Sequence, residues 1–180
     1  MITETAVWRV IIAVINNGLI DQGITGVKAK QSYQQTQQGT SSADRVYLNK
    51  VTQRRISHQS KEFKFNEIDD NFDHKEAYWL AVTYQLNAVI NQDLSDPDSM
   101  TVGDLVDICG AILQSTKARK TLLESGVGIL KINDTRNPFF SDDSKQFVAE
   151  PSFDFVLTYN QSISSKVPKI SAVEETTINL

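Results

Sequence analysis

Between Tyr78 and Ile90 the chain alternates strictly. Tyr78, Leu80, Val82, Tyr84, Leu86, Ala88 and Ile90 take one parity, and Trp79, Ala81, Thr83, Gln85, Asn87 and Val89 the other. Successive side chains of a strand point to opposite faces, so the pattern specifies a half-buried strand and not a helix. At about 3.3 Å per residue the run extends ~40 Å, long enough that a bend or break midway is expected. The rest of the chain must supply an apolar layer for the first parity. The second parity, mixed in character, is left to face solvent or a partner.

The segments on either side provide that layer. Val7, Ile11, Val14 and Ile15 fall at helical spacing and predict a helix from Thr3 to about Leu19, with Gly18 as its stop. Trp8, Val10 and Ile12 widen its apolar surface beyond one stripe, so it needs contact on more than one side. A strand is expected over Val27–Tyr33, running into a polar loop around Gln34-Gln-Thr-Gln-Gln-Gly39. Strand character over Arg45–Ile56 and in Phe63-Lys-Phe65 suggests an antiparallel pair turning at Ser57-His-Gln-Ser60. Thr101-Val-Gly-Asp104 resembles a capping box opening a helix whose buried face is Leu105, Ile108, Ile112 and Leu113. A second short helix, Ser115–Leu123, ends at Gly126. Gly126–Ile132 and Pro151–Tyr159 read as two further strands, joined by an irregular Asn133–Ser144 connection. The expected class is α+β: an antiparallel or mixed β-sheet with an N-terminal helix and a central helical pair packed on it. Residues 1–163 are expected to form one domain, with 164–180 as a polar C-terminal arm.

Composition narrows the function. A chain of 180 residues, 40% hydrophobic and 22% charged, can bury one sizeable core. Its formal charge of −4 disfavours broad attraction to nucleic acid, which depends on Lys and Arg neutralising phosphates. Cys109 is the single cysteine, so no internal disulfide or cysteine-based zinc site is available. The apolar run Val7–Ile15 follows Glu4, is interrupted by Arg9 and is succeeded by Asn16-Asn17-Gly18. Those flanks do not suit a secretory signal, and the run falls far short of the ~20 residues that span a bilayer. A soluble protein assembled in the cytoplasm, with no membrane partner, is expected.

No catalytic constellation emerges. His74 neighbours Asp69, Asp70, Asp73 and Glu76, but these lack the regular spacing that would converge on one ion, and a solvated acidic loop explains them better. Asp93, Asp96 and Asp98 form a turn cluster lacking the glycine and terminal glutamate of a calcium loop. There is no Gly-x-Ser-x-Gly elbow, and Gly126-Val-Gly128 has neither the third glycine nor the Lys-Ser or Lys-Thr of a phosphate cradle. Cys109 reads as a packing residue. Neither enzymatic activity, a cofactor nor a metal is expected.

Several segments together resemble a known family. Ser32-Tyr-Gln-Gln35, Gln53-Arg-Arg-Ile56, Leu113-Gln-Ser115, Gly126-Val-Gly-Ile129, Arg136-Asn-Pro-Phe139 and Glu150-Pro-Ser-Phe-Asp-Phe155 are similar to the neck, tail terminator or gateway proteins of tailed bacteriophages, over roughly Thr3 to Ile170. The resemblance implies a subunit of a sixfold homo-oligomeric ring at the head-proximal end of the tail. Such a ring ends tube growth, receives the head connector and leaves a channel for DNA without reading its sequence. Its implied partners are the tail tube protein, the head–tail connector or collar protein and, in contractile phages, the sheath protein. Two other readings stand beside it: another tail component, such as a tail completion or baseplate protein, and a nucleic-acid-binding module using the strip from Arg45 to Lys64.

Residues suited to contacts between subunits or with partners are Arg45, Lys50, Arg54 and Arg55 on that strip, and Arg136, Phe139 and Phe140 in the connection before the last strand. Arg45, Lys50, Arg54, Arg55, Lys61 and Lys64 precede the acidic Glu67, Asp69, Asp70, Asp73 and Glu76; the two runs read either as two solvated faces of a hairpin and its exit or as charges complementary between neighbouring copies or adjoining rings, which would set their register. In the second case charge reversal at Arg54 and Arg55 should impair assembly while the monomer stays folded. Sedimentation of both variants checks this, and normal assembly of both would refute it.

Overall fold

The computed structural model describes residues 2–32, 44–90, 95–96, 98–141 and 147–169. The elements in order are α1 (Glu4–Asp21), β1 (Lys28–Gln31), β2 (Arg45–Arg55), β3 (Ser60–Asn66), β4 (Asn71–Val89), α2 (Val102–Gln114), α3 (Thr116–Glu124), β5 (Val127–Ile132), β6 (Phe139–Ser141), β7 (Phe147–Ala149) and β8 (Ser152–Pro168). A mixed six-stranded sheet runs β1-β2-β4-β8-β5, with β3 also on β4, and β6 and β7 form a separate pair. The fold is α+β, as the pattern of elements predicts.

The alternating strand is the axis of the sheet and is longer than its apolar stretch. β4 begins at Asn71 and pairs with β8 without interruption from Asn71↔Pro168 to Asn87↔Ser152, so it does not break midway. The irregularity lies on its other side, where β2 carries a bulge between Lys50 and Thr52 and leaves Val51 53% exposed. The expected hairpin at Ser57–Ser60 does not form. β2 pairs with Leu80–Val89 and β3 with Asn71–Ala77, so the two follow each other along one edge of β4. The segment between them is a jog, pinned by Ile56 N donating to Trp79 O (3.0 Å) and Trp79 N donating to Ser57 Oγ (2.9 Å). Ser-His-Gln-Ser lacks the Gly or Asn that a tight reversal requires. The chain reverses instead at Glu67–Asp70, where Asp70 takes a left-handed φ of 47°. The acidic run expected as a loop is therefore that turn plus the start of β4.

β8 likewise passes the predicted end at Tyr159. Ser164–Pro168 of the expected arm pair with Asn71–Lys75, because they continue the same antiparallel ladder. Residues 170–180 of the arm lie outside the described residues, as do the loop residues 34–42.

The helices cover one face of the sheet's broad end. α1 is capped by Thr3, whose side chain accepts from Ala6 N, and buries Val7, Trp8, Ile11, Val14, Ile15 and Leu19. Val10 and Ile12 are half-buried against the same core, in keeping with its wide apolar face. The same core holds Leu80, Val82, Tyr84, Leu86, Phe153, Phe155 and Leu157 from β4 and β8. Trp8 meets Tyr84 edge-on at 4.9 Å between centroids, an arrangement that adds to simple burial. α2 opens with the predicted capping box between Thr101 and Asp104, and buries Val106 and Cys109 where Ile108 was expected inward. α3 is capped by Ser115, and the turn after it uses Gly126 at φ 75°.

Gly18 does not stop α1. It lies a turn before the end, facing α2, and a Cβ built there would sit 2.3 Å from Ile112 Cγ2. The glycine is retained for close helix packing, and the helix ends at Gln22–Gly23, with Gly23 at φ 80°. Gly18→Val is expected to destabilise the chain by about 1–3 kcal/mol through overpacking, against a helix-propensity gain of a few tenths of a kcal/mol. Urea unfolding measures this. Combined with Ile112→Ala, the loss should be smaller than the sum of the single losses, and a fully stable Gly18→Val chain would contradict the packing role.

Candidate assembly surfaces

Strand alternation divides the basic strip. Side chains that face each other across a ladder share a face. Arg45, Arg54 and Lys64 pair with Val89, Ala81 and Asp73 and therefore lie on the outer face, whereas Lys50, Arg55 and Lys61 pair with Tyr84, Leu80 and Glu76 and lie on the helix side. No single cationic track results.

Several of these cations are engaged within the chain. Lys50 Nζ donates to Glu4 Oε2 at 2.8 Å, tying β2 to the start of α1. The Arg55 guanidinium stacks 4.2 Å from the centre of the Tyr78 ring. Lys61 lies 3.7 Å from Glu76. Arg54 is exposed and makes no ion pair with a described residue. The acidic turn is engaged too: Lys166, near the end of β8, pairs with Asp69, and Lys169, just after it, with Asp70 at 3.2 Å.

Arg136 braces the connection before β8. Its guanidinium donates to Asp154 Oδ2 at 2.8 Å, and its backbone exchanges hydrogen bonds with Ser152 at 2.7 and 2.8 Å. Thr135 Oγ1 donates to Asp107 Oδ1 at 2.7 Å, linking the same connection to α2. Phe139 and Phe140 lie in β6, their backbones opposite Ala149 and Val148. Their side chains lie outside the described residues.

His74 stacks on Phe63 with ring centroids 4.2 Å apart, and its Nδ1 lies 3.4 Å from Ser165 Oγ. Among the described residues no three His, Cys, Asp or Glu side chains gather as metal ligands. Cys109 is fully buried, and burial pushes its thiol up to about 12, so it remains an un-ionised packing group.

The surfaces that sequence reasoning missed are apolar. β3, the first part of β4 and the last part of β8 form a three-stranded ribbon extending beyond the helices. Its helix-side face carries Phe63, Phe65, Phe72, Ile163 and Val167, of which Phe63 and Ile163 are more than half exposed. Ile68 at the turn is 95% exposed. On the helical layer a groove of about 580 Å³ runs between α1 and the α2–α3 pair, with Val10, Ala13, Ile108 and Ala111 among its lining. The outer face at the broad end, by contrast, offers Asn49, Thr52, Thr83, Gln85, Asn87 and Thr158, with no described helix over it. The alternation of Phe63 and Phe65 was visible in the sequence. What it lacked was the extension of β4 and β8 that gives those rings a shared face.

The Lys50–Glu4 pair carries a pH signature. The hydrogen bond from Lys50 outweighs partial desolvation and holds the Glu4 carboxyl below its ordinary range. Because the folded state binds this proton less readily than the unfolded state, the contribution is present above the ordinary glutamate pKa and is lost as pH falls through the lower folded value. Both side chains are partly exposed, so the effect is expected to be at most about 0.5–1 kcal/mol. Glu4→Gln should remove it at pH 7 and flatten the acid limb of a urea-midpoint series, and an unchanged acid limb would show that the pair contributes nothing.

Comparison with known families gives these surfaces a context. The model of a family described as E217 gateway protein gp29 matches residues 6–169. No curated protein matches the chain. The matched span takes in nearly all of α1 and every later element through β8. The chain belongs to this family of phage gateway proteins, structural components of the neck and tail.

Proposed function

We propose that this protein forms a homohexameric ring at the head-proximal end of a phage tail, where it ends growth of the tail tube and joins the tail to the head connector or collar. The observation that carries this reading is the gateway family match over residues 6–169. Subunits are made in the host cytoplasm and come to rest in the virion neck. The tail tube protein meets one side of the ring, the connector the other and, in a contractile tail, the sheath protein its rim. Growth stops because the side facing the head does not reproduce the surface offered by a tube ring.

The chemistry of the chain supports such a role. A ring through which duplex DNA passes must not hold it, and phosphates are held by strips of free Lys and Arg. Here the net charge is −4, the cations of β2 and β3 are split between two faces, and several are paired internally. The polar residues Asn49, Thr52, Thr83, Gln85, Asn87 and Thr158 on the outer face suit a wall past which DNA slides, with Arg45 and Arg54 the cations that β2 adds to that face. Cyclic closure requires a contact between two different patches of the subunit, and the ribbon and helical groove are two such patches.

Electron microscopy of virions with this protein immunolabelled tests the assignment. Label is expected at the neck. Label at the distal tip would transfer the protein to a baseplate role, and no label on particles would remove it from the virion.

A further inference from the structure

The turn that closes the ribbon is built to present an apolar side chain. Asn66 Oδ1 accepts from Ile68 N at 3.1 Å, while Asn66 Nδ2 donates to Asp69 Oδ2 at 3.4 Å and Asp73 Oδ2 at 3.3 Å. Lys166 and Lys169 hold Asp69 and Asp70 from the neighbouring strand. Within this bracing Ile68 projects into solvent, 95% exposed. It has no part in the core formed by the described residues. A turn fixed in advance loses little conformational freedom when it binds, and Phe65 and Phe63 extend its apolar surface along the ribbon, 41% and 58% exposed.

The groove between α1 and the α2–α3 pair has the complementary character. Val10, Ala13, Val14, Ile108, Ala111 and Ile112 give it an apolar lining, and Arg9 stands at its rim. Arg9 makes no ion pair with a described residue, and neither does Glu67, the residue preceding Ile68. Among the described residues the peg is thus flanked by a carboxylate with no ion-pair partner, and the groove by a guanidinium with none.

We propose that Ile68 and the aromatic face behind it seat in the helical groove of a second copy of this chain, with Glu67 meeting Arg9. The inference rests on the ring reading and names its contact. The chain's own groove is not the receptor, because the subunit's helices leave Phe63, Phe65 and Ile68 exposed. Peg and groove are different patches, so each copy offers one to the next and receives one from the last. That head-to-tail geometry closes into a ring when the rotation returns to its start. Apolar insertion supplies affinity, and the charge pair fixes register and partner choice.

The test uses the full-length chain, alone and with tail tubes, read by sedimentation velocity and native mass spectrometry. Ile68→Asp on the peg and Ala111→Glu in the groove should each raise the concentration needed for ring-sized species by about tenfold or more, with urea midpoints unchanged. Glu67→Arg and Arg9→Glu should each weaken assembly, and the two changes combined should restore most of it. Rings that form at wild-type concentrations in both I68D and A111E would overturn the contact while leaving the ring reading intact. A wild-type chain that stays monomeric both alone and with tubes would overturn both.

Discussion

The continuous antiparallel ladder between β4 and β8 is the interaction on which the rest of the structure depends. It joins two regions with different needs. From Leu80 to Leu86 the strands carry Val82, Tyr84, Phe155 and Leu157, which the helices bury. From Asn71 to Ala77 the same ladder carries Phe72, His74 and Glu76 opposite Val167, Ser165 and Ile163, and no described helix covers them. A register slip by one residue would turn every one of these side chains to the other face. The buried aromatic cluster of Trp8, Tyr84, Phe153 and Phe155 penalises such a slip and so fixes the geometry of the ribbon beyond the core.

Much of this was legible in the sequence because the relevant signals are local. The parity of Tyr78–Ala88, the capping box at Thr101–Asp104, the break at Ser115 and the glycine at 126 each specify their structure within a few residues. Gly18 was misleading for the opposite reason. Its role depends on Ile112, which lies far away in the chain, and nothing near Gly18 distinguishes a close helix crossing from a helix stop. The hairpin expected at Ser57–Ser60 failed similarly: β2 and β3 both have strand character, but their shared partner is β4. The end of β8 was read as the start of an arm because Ser164–Leu180 is polar, holds Pro168 and has no strong period. The strand conformation of Ser164–Pro168 comes from pairing with β4 and not from burial.

The placement of the charges was less legible in the sequence. A linear run of cations suggests one patch, yet a strand sends alternate residues to opposite faces, and lysines distant in sequence arrive to engage the acids. Lys50, Arg55, Arg136, Lys166 and Lys169 all act within the subunit, fastening the helix, the jog, the last connection and the turn. Exposed apolar residues are fewer and more informative, since a fold has no internal use for an isoleucine such as Ile68.

The jog between β2 and β3 also has a mechanical consequence. Because Ile56–Gln59 interrupt the edge, only β4 and β8 run unbroken from the helical body to the tip of the ribbon. Their hydrogen bonds lie across the strand direction. A pull along the ribbon that draws the two strands past each other loads those bonds together in shear, whereas a sideways pull on the tip opens them one at a time. The subunit is therefore stiff along one axis and compliant across it, a directional response suited to a joint that must carry axial load while its neighbours settle into place.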